Sequence, residues 1–262
     1  MGAETAIKVE NLSKSFLIPY KISDTFRERL IHFEWKMKYR QFNALKDISF
    51  EIRQGEFFGI IGRNGSGKST LLKILAGIYT PDKGKVVING QVSPFLELGV
   101  GFNPELSGRD NIFLNGTILG LSYREIKSSF DSILDFAELE RFIDQKLKNY
   151  SGGMQVRLAF AVAIHTNRGI LLMDEVLAVG DISFQSKCLA EFNRCKNDGK
   201  TVVLVSHDLT NVQKSCDRAA LLRNGEIVKT GKAEEVCNEY MVQNMEDEGK
   251  RKHEGQDEHA GK

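Results

Sequence analysis

The sequence predicts an α/β fold with a mainly parallel core sheet, and three observations predict it. Short apolar runs bounded by turn residues alternate with helical patterns along the chain. The stretch Gly62-Arg63-Asn64-Gly65-Ser66-Gly67-Lys68-Ser69 fits G-x-x-x-x-G-K-[ST], between the apolar run Phe57–Ile61 and the helical continuation Thr70–Ala76. A buried run, Gly169–Met173, ends on Asp174-Glu175, as a parallel strand does when it presents acids at its carboxyl edge.

Taken in order, Ala6–Phe16 and Ala44–Arg53 read as strands. Between them, Leu17–Asn43 is a separate inserted segment in which Phe26, Leu30, Phe33 and Met37 recur at helical spacing. Lys21, Arg27, Arg29, Lys36, Lys38 and Arg40 make it locally basic. Two readings stand: a surface helix packed on the domain, or a helix touching a membrane surface or membrane partner. Strands are expected at Lys85–Asn89 and Val92–Leu98, then helices at Gly108–Leu119, at Tyr123–Ala137 and from about Ser151. After the strand ending at Asp174 come helix Phe184–Lys196 and strand Thr201–Val205. Strands Asp217–Arg223 and Glu226–Thr230 flank Asn224-Gly225, a hairpin signal. Helix Ala233–Val242 closes a single domain over 1–242, and the polar residues 243–262 read as a disordered tail. No internal repeat is visible.

Composition bounds the function. The chain has 262 residues and 41% hydrophobic content, enough for a sizeable core. A net charge of +1 gives no electrostatic reason to bind nucleic acid. No apolar run reaches the ~20 residues that span a bilayer, and Met1–Ala6 does not open a signal peptide. Cys188, Cys195, Cys216 and Cys237 are widely spaced, with no C-x-x-C pair, and read as reduced, mostly buried thiols.

The motifs point to phosphate chemistry. Glycines let the N–H groups of residues 62–67 turn inward around an anion; Lys68 reaches the β- and γ-phosphates, Ser69 holds Mg²⁺, and Thr70 continues the loop into the helix. Asp174 is placed to orient Mg²⁺, and Glu175 to polarise an attacking water. His207, in Ser206-His207-Asp208 after the next strand, can bond the γ-phosphate or hold that water. Ser151-Gly152-Gly153-Met154-Gln155 caps a helix with exposed N–H groups, by itself a weak anion signal.

Together these elements resemble the ATP-binding subunit of ABC transporters over nearly all of residues 6–242. The resemblance implies a P-loop fold of ABC type, with an antiparallel β subdomain and a helical subdomain near 104–166 that carries the signature Ser151–Gln155. It implies ATP and Mg²⁺ as cofactors and a head-to-tail homodimer, each ATP held by one phosphate loop and the partner's signature. Asp181 in Ala178-Val179-Gly180-Asp181 corresponds to the D-loop acid, although the usual Ser-Ala-Leu-Asp is altered. Phe16 stands at the adenine-stacking position, with Tyr20 the second choice. Glu97 stands where the family usually has a Mg²⁺-binding glutamine, and Gln91 is the weaker substitute.

Three stretches narrow the resemblance to exporters of lipid-linked polysaccharide: Leu96–Arg109, Tyr150–Val162, and Asp174–Asp181 with Phe184-Gln185. Relatives of that kind serve O-antigen, capsule or teichoic acid, and their segment equivalent to 17–43 forms a helix near the membrane subunit. The implied function is a motor subunit at the cytoplasmic face of the inner membrane, paired with a separate permease. The alternatives are a soluble ABC ATPase of translation or DNA repair and a non-catalytic ATP sensor.

Overall fold

The computed structural model describes residues 4–19, 39–95, 99, 101–165, 169–174 and 181–257, with 246 and 248–257 described in backbone only. Two sheets form among these residues. Strand β1 (Thr5–Pro19) pairs antiparallel with β2 (Tyr39–Arg53) on one side and β4 (Lys83–Ile88) on the other. The second sheet has the order β5-β6-β7-β3-β8-β9, from β3 (Phe57–Ile61), β5 (Val92–Phe95), β6 (Ile170–Asp174), β7 (Thr201–Val205), β8 (Arg218–Arg223) and β9 (Glu226–Lys232). It is parallel except for β9, which folds back on β8 through a turn with positive φ at both Asn224 (51°) and Gly225 (83°).

The unbroken apolar runs are explained by burial on both faces. In β3, Phe57 and Ile61 enter one core cluster while Phe58 and Ile60 enter another. Gly59 sits between them because a Cβ there would lie 2.7 Å from Val212 Cγ1. The first cluster packs the sheet against α5 (Ile182–Asn197) through Phe184, Cys188 and Phe192. The second joins the two sheets with α1 (Lys68–Leu75) through Leu71, Leu72 and Leu75.

Helices α2 (Gly108–Ile118), α3 (Tyr123–Ala137) and α4 (Gly152–Ile164) enclose a separate core of Ile112, Ile126, Ile133, Leu158 and Val162. Their starts follow from capping: Ser107, Ser122 and Ser151 each accept a first-turn N–H, and Ser122 closes a capping box with Glu125. Short α6 (Leu209–Ser215) and the closing helix α7 (Ala233–Asp257) pack on the main sheet. No helix among the described residues is long and apolar enough to cross a membrane. All four cysteines are buried, and desolvation pushes the Cys188 and Cys216 thiols up to about 12.

Two expectations change. The β1–β2 ribbon extends into the inserted segment, pairing Leu17 with Gln41 and Pro19 with Tyr39. Period-2 reading missed this because backbone pairing, not a buried face, makes the extension: Leu17, Ile18 and Tyr39 are exposed. Tyr20 and the expected row Phe26, Leu30, Phe33 and Met37 lie outside the described residues. At the other end, the tail expected to be disordered from 243 continues α7 as helix to Asp257. Composition misled because Asp247 ties this part of the helix to Arg63 and Arg223, and Gln243 to Arg223, by polar bonds instead of a buried apolar face.

Candidate active site

The carboxyl ends of β3, β6 and β7 meet at one edge of the sheet, since these strands are parallel neighbours. The phosphate loop leaves β3 there and runs into the N-terminus of α1. Gly62 has φ 153°, and a Cβ on it would lie 2.2 Å from the Leu222 carbonyl oxygen. Gly67 has φ 109°, and a Cβ on it would lie 2.5 Å from the Ala44 carbonyl oxygen. Both glycines are therefore demanded by fit as well as by conformation. Lys68 is 6% exposed and donates from Nζ to the carbonyls of Gly62 (2.8 Å) and Arg63 (3.0 Å). This folds the ammonium over the loop.

One cleft brings together Asn64, Gly65, Gly67, Lys68, Ser69 and Thr70. Asp174, more than a hundred residues away in sequence, lines the same cleft at the end of β6. Backbone donors, a helix N-terminus and an ammonium thus face a carboxylate and a hydroxyl across one space. That arrangement can hold a polyphosphate together with a hard cation. His207 follows β7, two residues beyond Val205, which pairs with Asp174; it is exposed at this edge. Glu175 and Glu97 lie outside the described residues. Gln91 immediately precedes β5, whose parallel pairing starts at Val92–Ile170, so it stands at the opposite edge of the sheet from the cleft. That position removes it as a substitute for Glu97.

Other expected residues lie around the cleft rather than in it. Arg63 and Ser66 line a neighbouring cleft under α7. Phe16 packs edge-on against Tyr79 at 5.6 Å, with the Lys14 ammonium over its ring. Directly opposite Phe16 in the ribbon is Phe42, 45% exposed, and it is Phe42 that lines the cleft. Sequence reading missed Phe42 because only the position of β2 against the phosphate loop puts it there.

The signature residues are elsewhere again. Ser151 Oγ accepts from Met154 N–H at 3.2 Å, and Gln155 Nε2 reaches the Leu147 and Tyr150 carbonyls at 3.4 and 3.5 Å. Gly152 and Gly153 are exposed, and a Cβ on Gly152 would meet nothing within 4 Å. The N-terminus of α4 is therefore open to an approaching anion, apart from its own chain's cleft. Asp181 caps α5, accepting from Phe184 N–H at 2.9 Å.

The sequence pattern of the ABC transporter family matches residues 45–178, which include the loop, Ser151–Gln155 and Asp174. An O-antigen export system ATP-binding protein from Klebsiella pneumoniae is 41% identical over 90% of this chain and 98% of its own length. The chain belongs to the ABC transporter family. As an ABC-type ATP-binding subunit it is an ATPase. An O-antigen export system ATP-binding protein from Myxococcus xanthus is 48% identical over 82% of this chain, which spans only half the length of that relative. A teichoic acids export ATP-binding protein from Listeria innocua is 42% identical over 92% of this chain and 71% of its own length. Among solved structures, a dimeric ATP-binding cassette bound to ADP and Pi in a post-hydrolysis state superposes with TM-score 0.69 at 27% identity, covering 87% of this chain and 98% of that one. The ABC ATPase architecture is thus shared over most of the chain.

Proposed function

We propose that this chain is the ATP-hydrolysing motor subunit of an exporter that moves a lipid-linked polysaccharide across the cytoplasmic membrane. Similarity to export proteins for O-antigen and for teichoic acids supports the cargo class, and it favours export over a role in translation or DNA repair. The structural observation that carries the mechanism is the separation of the two half-sites. The phosphate loop and Asp174 share a cleft, whereas the open helix end at Ser151 lies outside it. A second copy turned head to tail brings its Ser151-Gly152-Gly153 to the γ-phosphate held by the first. Two equivalent sites then form in a homodimer, which works at the cytosolic face of the membrane against two copies of a separate permease. ATP closes the dimer and moves the permease, and hydrolysis reopens it.

Within each site Lys68 and the loop N–H groups hold the β- and γ-phosphates. Mg²⁺ suits this cleft because a hydroxyl, Ser69, and a carboxylate, Asp174, line it together. When bound it would neutralise phosphate charge, with Glu97 as a further oxygen donor. Glu175 takes the proton of the attacking water, and His207 holds that water or the γ-phosphate. Adenine stacks on the β1–β2 ribbon, at Phe42 rather than at its ladder partner Phe16. The test is Glu175→Gln: an amide keeps the shape of the base but cannot take a proton. The variant is expected to bind ATP, accumulate as a dimer on size exclusion and lose turnover by about a hundredfold or more. Near-normal hydrolysis removes Glu175 from the role of base.

A further inference from the structure

Helix α7 does more than close the fold, because a turn past its middle reaches the phosphate loop. Asp247 accepts from Arg223 Nη2 on both carboxylate oxygens, at 2.9 and 3.0 Å, and from Arg63 Nη1 at 3.2 Å. One turn earlier, Gln243 accepts from Arg223 Nη1 at 3.1 Å and donates to Glu239 at 2.9 Å. Glu239 in turn pairs with Lys229 of β9 at 3.2 Å. Residues 239, 243 and 247 thus form an i, i+4, i+8 ridge that ties β9, the end of β8 and the loop together.

Most exposed ion pairs contribute little, and the bland reading is a solvated helix face. Three features argue otherwise. Arg223 Nη2 shares its contact between both Asp247 carboxylate oxygens while Nη1 is held by Gln243, so the guanidinium is fixed by charge-assisted bonds on two sides. Asp247 is largely shielded, at 21% side-chain exposure. Arg63 is also gripped from the opposite side, since its carbonyl accepts the Lys68 ammonium. The same loop is fixed once more where the Gly225 N–H of the hairpin donates to the Ser66 carbonyl at 3.0 Å.

We propose that Asp247 is a positioning residue for ATP binding: it neutralises Arg63 and Arg223 and holds Arg63 so that the phosphate loop keeps its binding shape. Without it two guanidinium groups that shared one carboxylate repel each other, and the loop is pushed outward at Arg63. This inference goes beyond glycan export and rests only on the ATP site, so an exporter of other cargo would leave it standing.

The experiment is steady-state ATPase kinetics on the full chain, with melting temperature recorded for each variant. Asp247→Ala and Asp247→Asn are expected to raise KM for ATP by about fivefold, with a smaller effect on kcat. Asp247→Glu, which keeps the charge, restores KM to within about twofold. Because the repulsion needs Arg63, the double variant Arg63→Ala/Asp247→Ala has a KM clearly below that of Asp247→Ala, within about twofold of Arg63→Ala alone. Unchanged KM in both Asp247→Ala and Asp247→Asn overturns the proposal, as does strict additivity in the double variant. If Asp247→Ala fails to fold, the isosteric Asp247→Asn decides the matter by the same readout. A parent chain with no ATP turnover would sink the ATPase assignment along with the clasp, whereas turnover with unaltered KM sinks the clasp alone.

Discussion

Lys68 donates to two carbonyls of its own loop, which holds its ammonium at the cleft. A cation prepared in this way loses little rotamer entropy on binding. Lys68→Ala removes a charge-assisted contact worth about 1.5–3 kcal/mol. Nucleotide affinity is expected to fall by about tenfold to a hundredfold, read by titration with a fluorescent ATP analogue. Affinity equal to the parent's would contradict the placing of this residue on the phosphates. The aromatic at the cleft is a second matter of single residues. Phe16 and Phe42 are both Phe and partners in one ladder pair, and the position of the β2 strand against the phosphate loop puts Phe42 at the cleft.

At the scale of elements, the role proposed for α4 lies at its N-terminus. Ser151 fixes the first turn, while Gly152 and Gly153 leave its N–H groups uncovered. Ser151→Arg puts a long cation where the partner's phosphate is to sit. The variant is expected to keep nucleotide binding as a monomer and to lose ATP-driven dimerisation, measured by light scattering. Mixed with Lys68→Ala protein, it forms a heterodimer in which one site joins a good loop to a good signature and the other joins two damaged halves. Turnover then returns to at most one site per dimer. A Ser151→Arg protein that dimerises and hydrolyses ATP normally by itself would refute the head-to-tail arrangement. The strands tell the opposite story about legibility. β6 and β7 were readable because both faces are buried and the apolar run is unbroken. The ends of β1 and β2 were not, because an exposed ribbon leaves no periodic signal.

For the whole molecule, the proposed membrane-facing role of segment 17–43 is the one that bears on how ATP turnover is passed on. The basic residues Arg27, Arg29 and Lys36 accompany the expected apolar row Phe26, Leu30, Phe33 and Met37. At an anionic membrane surface each such charge contributes about 1 kcal/mol. Reversing the three charges to Glu is expected to reduce polysaccharide export in cells while the isolated subunit keeps its basal ATPase rate and melting temperature. Undiminished export would leave the segment as an ordinary surface helix.

What the sequence determined alone was chemistry carried by local pattern: the phosphate loop with its flanking strand and helix, the acid at the end of β6, the serine that caps α4, and the α/β class. Each depends on residues a few positions apart, where spacing fixes geometry. Tertiary structure alone decided which distant residues share a space. It put Asp174 beside Lys68 through parallel strand order, and Phe42 at the cleft through the position of β2 against the phosphate loop. It also put Asp247 on Arg63 through a helix whose polar composition had suggested disorder. The physical reason is the same in each case. Strand register, sheet order and ion pairs between distant segments follow from the burial of surfaces and charges across the whole chain, and no short window of sequence contains both partners.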